Sequence, residues 1–266
     1  MTSISRSYLF VPGNRADRIA KARAAGPHAV IVDLEDAVAP TDKAAARTAV
    51  SQALSAEHPV LLRVNGPGTP WHDDDLALCK SPGVAGILLP KTEEADHVRH
   101  AASRLGSQAF ILPIIETAAG FANAGALAKA ARVQRLAFGT IDFQLDLGID
   151  GEEDELLFFR SRLVLESRLA GIQSPVDGVT VALDDPEALR RETLRSKRLG
   201  FGAKLCIHPK QVAVVNECFT PTAEEIAWAK RIVEAANKAG GAAVAVDGKM
   251  VDKPVILKAQ EILAAK

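Results

Sequence analysis

Residues 29–65 read AVIVDLEDAVAPTDKAAARTAVSQALSAEHPVLLRVN. A short apolar, β-branched run (AVIVDL, 29–34) ends on acidic residues. An alanine- and arginine-rich stretch of helical composition follows (KAAARTAVSQALSA, 43–56), and then a second apolar run (VLLRV, 60–64). Short, nearly continuous apolar runs are what strands buried on both faces of a parallel sheet require. A helix between two of them makes a strand–helix–strand unit, with Thr41 or Asp42 able to cap the helix.

The unit recurs along the chain. Further runs are SYLFV (7–11), GILLP (86–90), FILPII (110–115), RLAFG (135–139), DGVTVAL (177–183) and AKLCI (203–207). All but DGVTVAL are nearly continuous apolar runs. Between them lie DRIAKARAAG, which Gly26 ends, EADHVRHAASRL and ALAKAARV. Thr92 is placed to cap the second of these, with Glu93 and Glu94 in its first turn. The longer gap before the seventh run holds DGEEDELLFFRSRLVLESRLAG, which predicts a polar loop and then a long amphipathic helix. Eight alternations of strand and helix predict an α/β fold, a (β/α)₈ TIM barrel over residues 1–220. The alternative, an open doubly wound sheet, would carry a glycine-rich loop after the first strand, and PGNRAD is not one.

Residues 221–266 have no barrel strand to join. Residues 222–239 predict a helix, Gly240 and Gly241 a hinge, and Pro254 the start of a last helix with Asp252 just before it. Such a C-terminal helical extension either packs on the surface or reaches over a neighbouring active site.

With 48% hydrophobic residues in 266 and a mean hydropathy of +0.07, the chain can bury a sizeable core. Its net charge of −1 offers neither nucleic acid nor a membrane surface the concentrated basic patch they need. The densest basic stretch, Arg190 to Arg198, reads as the solvated face of a helix. Cys79, Cys206 and Cys218 are odd in number and lack C-x-x-C spacing, so they read as reduced thiols. No charged-then-apolar leader precedes the first strand and no apolar stretch is long enough to span a bilayer, so a cytoplasmic protein is expected.

In a barrel, chemistry gathers past the C-terminal ends of the strands. There the sequence places Asp33, Glu35 and Asp36, then Arg63 with Asn65, then Lys91, Glu116, Asp142, and His208 with Lys210. Glu116 and Asp142 follow consecutive runs and would repel one another unless a cation lay between them. Oxygen ligands that leave room for water suit a hard ion such as Mg²⁺. The structural alternative is that each carboxylate pairs with a basic side chain. Arg63 either pairs with Asp36 or presents its planar fork to a carboxylate or a developing enolate oxygen. Asp33, Glu35 and Asp36 form a D-L-E-D turn that can hold metal-bound water or Arg63 from behind. His208 in C-I-H-P is more readily structural than catalytic, and His97 and His100 read as surface residues. Carboxylates, guanidinium and cation together suit making or breaking a carbon–carbon bond beside a carbonyl.

RSYLFVPGNRADRIAKA, VDLEDAV, LLRVNGPGT, GILLPK, ILPIIETAAG, AFGTIDFQLDLG, GFGAKLCIHPKQV and MVDKPVILKAQEIL, in this order and over nearly the whole chain, resemble the citrate lyase β-subunit-like branch of the HpcH/HpaI aldolase superfamily. That branch includes malyl-CoA and citramalyl-CoA lyases. The resemblance implies a TIM barrel with a C-terminal extension, in trimers or hexamers. It implies Mg²⁺, or Mn²⁺, held by Glu116 and Asp142. It implies that Arg63 contacts the substrate, with Gly139, Thr140 and Ile141 at the keto-acid carboxylate and Asp33, Glu35, Asp36 and Lys91 in support. His208 and Pro209 would lie near the CoA, and Asp252 would come from an adjacent subunit as proton donor. The implied activity is cleavage or formation of a 3-hydroxyacyl-CoA thioester, giving a 2-keto acid and acetyl-CoA. Other activities compatible with the same residues are a lyase β-subunit acting on a citryl thioester of a carrier protein and a class II 2-keto acid aldolase that needs no CoA. A silent binding barrel is disfavoured by the intact Arg63, Glu116, Asp142 and Asp252. The sequence departs from the G-x-E-D pattern of many relatives: Ile141 stands before Asp142, making that edge of the pocket less polar.

Overall fold

A computed structural model describes residues 5–239 and 243–264, so the expected Gly240–Gly241 hinge lies outside the described residues. Eight strands form the first of two compact units, residues 5–216. They are β1 (Ser7–Pro12), β2 (Ala29–Asp33), β3 (Val60–Arg63), β4 (Val84–Leu89), β5 (Phe110–Ile115), β6 (Ala137–Phe138), β7 (Val176–Asp177) and β8 (Ala203–Cys206). Each pairs in parallel with the next, and β8 returns to β1, which closes a TIM barrel. Helices α1 (Ile19–Ala24), α2 (Lys43–Ala53), α3 (His72–Leu78) and α4 (Ala95–Arg104) follow the first four strands. After β5 come α5 (Ala118–Ala122) and α6 (Ala124–Ala128), and after β6 come α7 (Thr140–Leu147) and α8 (Leu157–Leu169). α9 (Pro186–Leu199) and α10 (Pro209–Phe219) follow β7 and β8.

Side chains alternate across a strand, so every second residue points into the barrel. Tyr8, Ile31, Leu61, Leu112, Ile114, Ala137, Ala203 and Leu205 belong to one buried cluster. Two residues further along their strands stand Phe10, Asp33, Arg63, Glu116, Gly139 and Ile207. The same alternation that packs the barrel therefore delivers the charged residues to its mouth.

Four expectations are corrected. The seventh strand is Val176–Asp177, one residue earlier and far shorter than the 177–183 run. The Gly178 carbonyl accepts a hydrogen bond from the Lys204 ammonium at 2.8 Å, so it serves a side chain instead of extending the ladder. Likewise β6 keeps only two of the five residues of RLAFG. Thr92 does not cap α4: its hydroxyl donates back to the Leu89 carbonyl at 2.6 Å, and Glu94 occupies the cap position. The loop expected after β6 opens with α7, a short helix that Gly148 ends in the left-handed conformation.

The second unit runs from Glu217 onward. α11 (Ala223–Lys238) starts with a reciprocal capping box between Thr222 and Glu225. A hairpin of β9 (Val244–Val246) and β10 (Lys249–Val251) turns at Asp247–Gly248, both at positive φ, as a two-residue Asp-Gly turn demands. α12 (Lys253–Ala264) follows, and Asp252 accepts the Val255 N–H at 3.4 Å in its first turn. Ala229, Ile232, Val251 and Ala259 make this unit's buried core. Among the described residues no helix is long and apolar enough to cross a membrane.

Candidate active site

Asp33 and Arg63 end neighbouring strands and sit directly opposite in register. Both Asp33 oxygens accept from Arg63, Nε at 2.8 Å and Nη2 at 2.6 Å, in a bidentate fork. The same carboxylate also takes the backbone N–H of Glu35 at 2.9 Å and of Ala37 at 3.2 Å. The Nη1 edge of Arg63 faces Glu35 at 3.2 Å and Asp36 at 3.5 Å. Phe10 lies under the guanidinium, 5.1 Å from ring centre to Cζ. Burial alone would lower the Arg63 pKa, but its Asp33 hydrogen bonds and the three carboxylates around it raise it above the ordinary value. Asp33 therefore holds Arg63, while Asp36 is only a distant, exposed partner.

Glu116, just past β5, is 3% exposed. Its Oε1 accepts the backbone N–H of Lys91 at 2.7 Å. The Lys91 ammonium lies 3.7 Å from that oxygen and is ion-paired with Asp142 in the first turn of α7. Lys91 itself adopts a left-handed backbone, φ 48°. Two carboxylates from different elements thus converge on one cationic point. Gly139 makes this possible, because a Cβ there would lie 2.5 Å from Glu116 Oε2. Burial pushes the Glu116 carboxyl up to about 7, against the pull of Lys91. Burial also pushes Glu35 up to about 8, against the pull of Arg63, with Asp36, Glu116 and Asp33 adding repulsion. Among the described residues no three or more His, Cys, Asp or Glu side chains form a ready-made metal cage. A cation fitting here takes two carboxylates and completes its shell with water or substrate oxygen, the habit of Mg²⁺.

These groups open into a cavity of ≈ 470 Å³, lined by Asp33, Asp36, Arg63, Glu116 and Asp142 on its polar side and by Thr140 and Ile141 beside them. Thr140 is buried; Ile141 is 46% exposed. A second cavity of ≈ 560 Å³ shares Phe10, Pro12 and Ile207 with the first and is edged by Arg15, Arg18 and Lys21. His208 and Pro209 form part of its wall. His208 is also tied into the first turn of α10, its Nδ1 accepting the Lys210 N–H at 3.1 Å. Asn65 turns inward to Asp75, and Lys210 pairs on the surface with Asp184. His97 and His100 lie on α4, away from this cavity, and His100 pairs with Asp73. Asp252 belongs to the second unit, at the head of α12.

Sequence reasoning missed a buried charged layer between the barrel wall and helices α8 and α9. Asp177, fully buried, bonds Arg160 Nε at 3.1 Å and the Ser196 hydroxyl, with the Lys204 ammonium 3.7 Å away. Lys204 and Arg160 outweigh burial and hold the Asp177 carboxyl below its usual range. The available signal was a lysine inside the apolar run AKLCI. The apolar wall of Phe10, Val179 and Ile207 was missed too, since Phe10 lies in β1 and the other two follow β7 and β8.

Residues 6–209 match the family described as HpcH/HpaI aldolase/citrate lyase, and residues 166–265 match the C-C bond lyase of the TIM-barrel fold. A citrate lyase subunit beta-like protein of Deinococcus radiodurans is 40% identical over 280 residues, covering 98% of this chain and 97% of that protein. A (3S)-malyl-CoA thioesterase of Cereibacter sphaeroides is 34% identical over 268 residues, covering 97% and 93%. Protein CitE of Mycobacterium tuberculosis, crystallised with magnesium, acetoacetate and coenzyme A, superposes with a TM-score of 0.87 at 32% identity, over 100% of this chain and 99% of that one.

Proposed function

The chain belongs to the HpcH/HpaI aldolase/citrate lyase family, lyase-type enzymes, and on that premise we propose that it cleaves, or forms, a 3-hydroxyacyl-CoA thioester with Mg²⁺ bound at Glu116 and Asp142. The observation that carries this reading is the convergence of those two carboxylates within reach of a cavity that Arg63 also faces. A solved neighbour holding magnesium, a keto acid and CoA together supports it, as does a relative named for a malyl-CoA thioester. At the edge of the second cavity Arg15 is paired with Asp17, and Arg18 and Lys21 suit the anionic tail of CoA, with the pantetheine arm then running along Phe10 and Ile207.

Bound between Glu116 and Asp142, the cation supplies Lewis acidity and a template for the reacting oxygens. The first-turn N–H groups after Gly139 orient the keto-acid carboxylate. In cleavage the substrate hydroxyl gives its proton to solvent water in the open cavity as the carbon–carbon bond breaks. The bonding pair moves onto the thioester as an enolate. Arg63, fixed by Asp33, presents its guanidinium to that developing charge. Asp252 of an adjacent subunit, or a water that it holds, then protonates the enolate carbon to give the acetyl thioester. In this reading the part from Glu217 onward, expected from sequence to begin at 221, acts as the cap that brings Asp252 over a neighbour's site in a homotrimer or hexamer.

The test is an assay of purified protein with Mg²⁺ on malyl-CoA and citramalyl-CoA, following glyoxylate, pyruvate and free CoA. EDTA-sensitive release of a keto acid with acetyl-CoA supports the reading. Release of free CoA alone would make it a thioesterase. Bound Mg²⁺ with no turnover would move the substrate to a carrier-protein thioester or an aldehyde.

Two further outcomes are expected. Asp252→Ala cripples turnover and leaves Mg²⁺ affinity unchanged; mixing it with an Arg63 variant restores activity, since hybrid oligomers then contain intact sites. No restoration would place Asp252 in its own subunit's site. Mg²⁺ affinity is also pH-dependent. Glu116, with a pKa of about 7, carries a proton on the acid side of that value, and the cation must displace it. Affinity therefore falls about tenfold per pH unit below 7 and levels off above it. Calorimetric titration from pH 5.5 to 8.5 reads this, and a flat profile would remove Glu116 from the metal.

A further inference from the structure

The main cavity is polar on one side and apolar on the other. Asp33, Asp36, Glu116 and Asp142 line it against a single guanidinium, Arg63. Arg63 already holds Asp33 through two hydrogen bonds, and the nearby Lys91 is held by Asp142 and Glu116. The rest of the lining is mostly apolar. Within it, Ile141 and Ile207 are unusual in remaining 46% and 40% exposed, for each borders the open cavity instead of the core.

The two isoleucines mark different ends. Ile207 also lines the basic cleft, as Phe10 does, so it flanks the path of the thioester arm. Ile141 is absent from the lining of that cleft and adjoins Asp142 in the first turn of α7. It therefore borders the keto-acid end of the substrate, on the far side from the thioester.

We infer that the keto acid is a monocarboxylate bearing an alkyl substituent, and that Ile141 selects it. This deepens the lyase reading and rests on it. A second carboxylate on the substituent would lose water against Ile141, in a cavity lined by four protein carboxylates and, among the described lining residues, by one guanidinium, Arg63, whose edges go to Asp33 and to the thioester oxygen. A hydrogen in place of the alkyl group would leave the isoleucine face without an apolar partner. One methyl or methylene in an apolar pocket separates two substrates by about tenfold or more.

The experiment is a calorimetric titration of the Mg²⁺-loaded protein with pyruvate, 2-oxobutyrate, glyoxylate and oxaloacetate. It is run on the wild type, Ile141→Glu and Ile141→Ser, with circular dichroism and Mg²⁺ affinity checked for each. The wild type is expected to bind pyruvate and 2-oxobutyrate about tenfold more tightly than glyoxylate or oxaloacetate. Both variants should lose about tenfold for the two alkyl acids and less than about threefold for glyoxylate. Serine removes the apolar face without adding charge, so it remains informative if the glutamate variant disturbs metal binding. Tightest wild-type binding of glyoxylate or oxaloacetate, or an order unchanged in the serine variant, overturns the inference and leaves the lyase reading standing. Binding of none of the four with Mg²⁺ in place overturns both.

Discussion

Arg63→Lys is expected to cut turnover by about 10²–10³-fold, the effect of losing one aimed donor from a developing oxyanion. Mg²⁺ affinity and the circular dichroism spectrum should stay close to wild type. Lysine keeps the positive charge but not the fork. It cannot hold both Asp33 oxygens and still present an edge to the substrate. Alanine is the poorer test. Asp33, Glu35 and Asp36 all face this guanidinium, and an alanine would leave them without it. Removing one partner of a buried ion pair strands the other and costs about 3–5 kcal/mol. Near-normal turnover in Arg63→Lys would refute the oxyanion role.

Glu116→Gln and Asp142→Asn are expected to lose the metal. Replacing an outer-shell partner already costs about 10–100-fold in affinity, so a direct ligand should cost at least about 100-fold. Turnover should fall by about 10³-fold or more, since the cation supplies several kcal/mol of charge stabilisation. The two variants should differ in stability. Glu116 has a folded pKa raised to about 7 from an ordinary 4.5. Its contribution to stability is full below the unfolded value and is lost as pH rises through about 7. Glutamine resembles the protonated form and escapes that loss. Metal-free Glu116→Gln should therefore melt above metal-free wild type at pH 8, whereas Asp142→Asn gives up the ion pair with Lys91 and should not share that gain. Thermal melts with EDTA, with calorimetric Mg²⁺ titrations beside them, check both statements. Unchanged Mg²⁺ affinity in either variant would sink the assignment.

The barrel could be read because a parallel strand buried on both faces leaves a short apolar run, and its regular recurrence between helical stretches tells it from a buried helix. AVIVDL and VLLRV are such runs. Where the pattern misled, local chemistry had intervened. Gly178 gives its carbonyl to Lys204, which ends β7 early, and the Thr92 hydroxyl returns to Leu89 instead of starting α4. α7 escaped because TIDFQLDL is short and follows a glycine. At the site, Arg63, Glu116 and Asp142 were visible as charges ending apolar runs. Their partners were less so. That Asp33, and not Asp36, grips Arg63 depends on strand register, which the sequence does not display. The buried Asp177–Arg160–Lys204 layer was hidden because each charge is neutralised by residues distant in the chain.

The two glycines at the mouth of the barrel set the terms on which this active site can be re-engineered. A side chain at Gly139 would strike Glu116, and one at Gly178 would lie 2.3 Å from the Thr140 hydroxyl. Positions 141, 179 and 207 carry no such constraint and supply the apolar wall. A mutant library aimed at new acids should therefore hold both glycines invariant and randomise those three positions. Its members would keep Glu116 and Asp142, and a screen of Mg²⁺ affinity would remove those in which a charge at 141 disturbs the neighbouring Asp142.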